Sequence, residues 1–94
     1  MYLGKPFDVE EVGSNHVKLS WDYKKSNNTF FEIYRSLKDK SFCKSSNLIA
    51  QTQSLEFNDI NLQSNTDYYY NIRVVDKKTN RKSPFYPQIK IRTI

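Results

Sequence analysis

Apolar residues recur every second position along most of the chain. In Asn15–Asp22, the residues Val17, Leu19 and Trp21 share one side, with Lys18 and Ser20 on the other. In Thr29–Ser36, Phe31 and Ile33 alternate with Glu32 and Tyr34, and in Ser54–Asp59, Leu55 and Phe57 flank Glu56. From Thr66 to Asp76, the set Tyr68, Tyr70, Ile72, Val74 alternates with Tyr69, Asn71, Arg73, Val75. Near the end, Ile89 and Ile91 alternate with Lys90 and Arg92. A period of two is the mark of strands that bury one face. With the opening run from Lys5 and a weaker run at Leu48–Thr52, the pattern predicts about seven short antiparallel strands. No segment reads as a helix, a repeat or a linker.

The breaks between the runs are polar: Lys24–Asn28, Lys38–Asn47, Asn61–Asn65 and Asp76–Pro84. Only Gly4 and Gly13 are glycines, so the turns must rest on Asn, Asp and Ser. Such spacing predicts an all-β sandwich of two antiparallel sheets in one domain spanning residues 1–94, with its core from about Lys5. The Thr66–Asp76 strand is the most apolar and is expected at the centre of its sheet, with its outer face partly covered as well.

Composition sharpens this picture. Seven tyrosines and six phenylalanines against a single alanine, Ala50, favour strand over helix. At 94 residues and 37% hydrophobic, the chain can build one core. A single cysteine, Cys43, excludes an intrachain disulfide. No apolar run is long enough for a membrane helix. The first residues lack a signal-peptide layout, which leaves two readings: an intracellular protein or, the preferred one, a module cut from a longer protein.

The runs, taken in order, resemble a fibronectin type III domain over Lys5–Ile94. KPFDVEEVG resembles its first strand, VKLSWD the second with its buried tryptophan, and FFEIYRS the third in a form common in bacterial members. LIAQT and FNDINLQSNTDYYYNIRVVD resemble the family's middle strands, and SPFYPQIKIRT its closing strand. The resemblance implies an immunoglobulin-like sandwich, three strands against four in Greek-key order. It implies a structural core including Trp21, Leu62, Tyr68, Tyr70 and Ile72. Tyr68 would form the tyrosine corner, its hydroxyl bonded to backbone near Leu62. Ser64 and Asn65 replace the family's usual proline and glycine, and the adhesion tripeptide Arg-Gly-Asp is absent.

Candidate chemistry is sparse. His16 and Cys43 are the lone histidine and cysteine and make neither a zinc set nor an expected dyad. Glu10 and Glu11, as strand neighbours, are expected on opposite faces. Asp59 and Asp67 are expected to hydrogen-bond local backbone at turns. The chain reads as no enzyme, with no catalytic, cofactor or metal residues. The candidates for contact with an anionic polymer or glycan are Lys77, Lys78, Arg81 and Lys82, four cations within six residues, together with outward tyrosines Tyr34, Tyr69 and Tyr86. Nucleic acid is not expected, since no aromatic lies within the cluster. Asn27-Asn28-Thr29 fits a glycan acceptor at Asn27.

The resemblance thus implies a non-catalytic accessory module, a spacer or interaction domain. Its parent would be a larger secreted or surface bacterial protein such as a glycoside hydrolase. The expected partners are neighbouring domains of the parent chain, a polysaccharide or another protein, with the isolated domain a monomer. The chain's termini are expected at opposite ends of the sandwich.

Overall fold

In the computed structural model, residues 5–24, 26–38 and 47–94 are described. Cys43 falls outside them. Two antiparallel sheets face each other. One holds β1 (Lys5–Val12), β2 (Val17–Asp22) and β5 (Glu56–Asp59), in the order β1-β2-β5. The other is built on β6 (Asp67–Asp76), flanked by β3 (Thr29–Ser36) and beyond it β4 (Leu48–Thr52). The described residues contain no helix of four residues or more.

The far edge of β6 departs from the predicted single last strand. Two short strands lie along it end to end, β7 (Arg81–Lys82) and β8 (Ile89–Arg92). β7 pairs with Val75 and Asp76, and β8 with Asp67–Tyr70. The stretch Asp76–Pro84, read as a polar break that forms a hairpin loop, carries the β6–β7 hairpin. Pro84 and Pro87 lie between the two strands and have no N–H to continue the ladder. Between the two strands the chain stays beside β6, held by Ser83 N–H to Val74 O at 2.8 Å and Tyr86 N–H to Ile72 O at 3.0 Å.

Val17, Leu19, Phe31, Ile33, Tyr70 and Ile72 are fully buried, and Trp21, Leu62, Tyr68, Val74 and Ile91 join them. Trp21 meets Phe31 edge-on at 5.4 Å, a favourable aromatic arrangement. Its indole N–H has no acceptor among the described residues.

The turns rest on asparagine as expected. Asn61, Asn65 and Asn80 adopt φ of 61°, 50° and 60°, a region that asparagine tolerates better than most side chains. In β1, two residues of one strand oppose one of the other between Val9–Leu19 and Glu11–Lys18. This bulge breaks the alternation. Glu10 and Glu11, expected on opposite faces, both end on the exposed side: Glu10 accepts from the Ser20 hydroxyl and Glu11 lies opposite Lys18.

Candidate functional site

Lys5 lies opposite Asp22 at one end of the sandwich. Thr29 and Asp76 pair at that same end, and the Lys77 N–H donates to Asn28 O at 2.9 Å. The basic hairpin is therefore tied to the turn that follows β2. Its tip is closed locally. Asp76 Oδ1 accepts the N–H groups of Lys78 at 2.9 Å and Thr79 at 3.4 Å, and Asn80 takes the left-handed conformation. All four predicted cations are exposed. Lys77 Nζ sits 5.3 Å from the Phe30 ring centroid, and Lys82 Nζ lies 3.6 Å from Glu32. Among the described residues, no carboxylate pairs with Lys78 or Arg81.

A groove of about 460 Å³ runs beside the hairpin. Tyr23, Lys24 and Ser26 line one part, and Arg81, Lys82, Ser83 and Pro84 another, with Thr29, Val74 and Asp76 completing it. Tyr23 and Lys24 escaped sequence reasoning because they sit outside the lysine-rich stretch. Only the pairing of β3 with β6 brings the two turns together.

The tyrosines divide. Tyr34 points to the outer face of the larger sheet but is only 4% exposed. Phe85, from the segment between β7 and β8, meets its ring edge-on at 5.0 Å, so Tyr34 offers no open platform. Tyr69 and Tyr86 are half-buried, with Lys90 Nζ 5.9 Å from the Tyr69 ring centroid. Tyr34 belongs instead to a polar cluster. Arg73 Nε donates to Glu32 at 2.7 Å, Arg73 Nη2 to the Tyr34 hydroxyl at 2.9 Å, and that hydroxyl to Glu32 at 3.1 Å. Burial alone would raise the Glu32 carboxyl. Hydrogen bonds from Arg73 and Tyr34, with the charges of Arg73 and Lys82, outweigh it and hold the group below its ordinary value. Burial and the adjacent carboxylate push the Tyr34 phenol up.

A second cluster joins the sheets. Arg35 Nη1 donates to both oxygens of Asp59, at 2.8 and 3.0 Å, and the Tyr70 hydroxyl donates to the same carboxylate at 2.6 Å. Asp59 is thus no local turn former, and burial followed by this bond pushes the Tyr70 phenol well up. Asp67 also departs from expectation, pairing with Lys90 and Arg92 across the β6–β8 ladder. Tyr68 forms the expected corner: its hydroxyl accepts the Gln63 N–H at 2.9 Å.

In both clusters the charged and phenolic groups are partnered by one another. His16 pairs with Glu11 at 2.6 Å on the surface. Among the described residues no three His, Cys, Asp or Glu side chains are grouped to hold a metal.

The geometry defines an immunoglobulin-like β-sandwich with a basic grooved end. Its structural neighbours are fibronectin type III domains. The chain is similar to the crystal structure of FN3tt, with 27% identity over 93% of this chain and 87% of that one and a TM-score of 0.72. It is similar to the fibronectin type III domain of human fibronectin type III domain containing protein 3, with 13% identity over 99% and 87% of the two chains and a TM-score of 0.75. It also superposes on part of a β-1,2-glucanase from Parabacteroides distasonis, with 18% identity and a TM-score of 0.77, covering 98% of this chain and 13% of that one. No protein-family model and no curated protein sequence matches the chain.

Proposed function

We propose that this domain is a non-catalytic accessory module of a larger secreted or cell-surface protein, where it holds neighbouring domains apart. The observation that carries the reading is the placement of Lys5 and Ile94. Lys5 lies beside Asp22 at one end, and the Ile94 N–H donates to Gly13 O at 3.0 Å at the other. The eight residues of β1 between them span about 23 Å at the usual rise of a strand. The molecule is 40 Å along its long axis and 24 Å and 20 Å across. A peptide chain passing through would therefore leave far from where it enters, with a packed two-sheet body between.

The glucanase neighbour fits this reading, since the matching segment is a small part of a long chain. Fold similarity does not fix a role, so the test is direct. With a fluorescent reporter fused at each end, energy transfer should stay low across buffers and rise or spread only on unfolding in urea. Transfer that varies widely in native buffer would mean the body does not set a distance. Glycoside or ester hydrolysis that disappears in Cys43→Ala would replace the spacer role with a catalytic one.

A further inference from the structure

The groove beside the basic hairpin brings together features that a spacer does not need. Lys24, from the turn after β2, and Arg81 and Lys82, from β7, line the same groove, so an anion held there meets positive charge from two separate elements; Lys82 also pairs with Glu32 at 3.6 Å. Neither Lys24 nor Arg81 is ion-paired among the described residues, and both are exposed. Among the described residues one carboxylate lines the groove, Asp76, and it is turned into its own hairpin by the N–H groups of Lys78 and Thr79.

The walls are fixed. Ser26 and Thr29 bond each other through N–H to Oγ1 at 3.0 Å and through their hydroxyls at 3.2 Å. Ser83 Oγ accepts the Val74 N–H at 2.9 Å and donates to Pro84 O at 2.9 Å. Lys77 N–H to Asn28 O locks one wall to the other. The cations are thus mounted on a preformed cleft, which lowers the cost of ordering on binding.

We propose that this groove binds a sulfated polysaccharide, with Lys24, Arg81 and Lys82 holding sulfate groups and Tyr23 and Pro84 lying against the sugar ring. Guanidinium and ammonium groups pair with sulfate oxygens through charge-assisted hydrogen bonds. The small apolar surface of Tyr23 and Pro84 beside the cations suits a ring rather than an ion alone. A nucleic-acid strand fits less well, because it needs successive aromatic platforms and Tyr23 is the one aromatic among the described residues that line this groove. The net charge of +5 aids approach to any polyanion.

The test is an amide-resolved NMR titration of the 94-residue chain. Three probes are compared: chemically sulfated maltohexaose, unsulfated maltohexaose, and a single-stranded oligonucleotide of about 12 nucleotides. The sulfated sugar should give saturable shifts centred on Tyr23, Lys24, Ser26 and Arg81 to Ser83. Its apparent Kd should weaken by about tenfold or more between roughly 50 and 300 mM salt. Lys24→Gln with Arg81→Gln should weaken binding by about fivefold or more, with an unchanged Tm as the control for folding. The proposal is overturned by equal binding of the unsulfated sugar, or by tighter binding of the oligonucleotide. It is equally overturned by shifts centred on Lys90 and Arg92, or by no shift at about 5 mM sulfated probe.

Discussion

The guanidinium of Arg35, on β3 of one sheet, donates twice to the carboxylate of Asp59, on β5 of the other. This is a charged rivet across the sandwich, and Tyr70 closes it from β6. Asp59 is 5% exposed, so its charge is tolerated only because all three groups are in place.

Asp59→Ala should therefore leave Arg35 and the Tyr70 hydroxyl without their acceptor inside the sandwich. The expected loss is about 2–4 kcal/mol of stability, read from urea denaturation. A loss below about 0.5 kcal/mol would show that water replaces the carboxylate at no cost.

Tyr68→Phe removes the acceptor of the Gln63 N–H and nothing else from the core. Stability should fall by about 1 kcal/mol, with the backbone amide of Gln63 exchanging faster with solvent. Unchanged exchange at that amide would contradict the corner's role.

Glu32 titrates below its ordinary value in the folded state. Its folded form therefore binds protons less readily than its unfolded form. The contribution is present above the unfolded value of about 4.5 and is lost as pH falls through the lower folded value. Denaturation midpoints followed from pH 6 down to about 3 should show this loss, and Glu32→Gln should flatten it. A variant curve parallel to the wild-type one would remove Glu32 as the cause.

The phenols of Tyr70 and Tyr34 behave in the opposite sense. Both are raised above the ordinary 10.0, by burial first and then by Asp59 or Glu32. Their contribution is present below pH 10.0 and is lost as pH rises through the folded values, because the unfolded chain ionises first. Urea midpoints should fall above that pH, and less steeply in Tyr70→Phe. Phenolate absorbance should show tyrosines that ionise only as the domain unfolds.

Asn65 holds a φ of 50° in the turn before β6. Asn65→Gly should be neutral or slightly stabilising, whereas Asn65→Val should cost about 1–2 kcal/mol. Equal thermal midpoints for the two variants would mean the turn relaxes to another shape.

The strands and most of the core were legible because burial follows the period of two. Val17–Leu19–Trp21 and Tyr68–Tyr70–Ile72–Val74 are buried as their parity predicts. The same parity held a signal that composition obscures. Arg35 continues the inward series Phe31, Ile33, and Asp59 continues Leu55, Phe57, so two opposite charges point into the same space. Taken singly, each looks like a strand-end polar residue. Outer-face burial was less visible. Glu32 and Tyr34 are covered by Phe85 and Arg73, and nothing local to β3 announces that a segment about fifty residues later folds across it. The groove was hidden for a related reason, since Lys24 and Arg81 meet only through tertiary pairing.

The proline-broken edge of β6 bears on self-association. A long, regular outer strand is a template on which a second chain can add its own backbone. Here that side offers a two-residue strand, an irregular stretch with Pro84 and Pro87, and a four-residue strand. Neither piece is long enough to register a partner, and Lys82, Lys90 and Arg92 add like-charge repulsion between copies. Along this side, many such domains can be crowded together without their sheets fusing into a continuous ribbon.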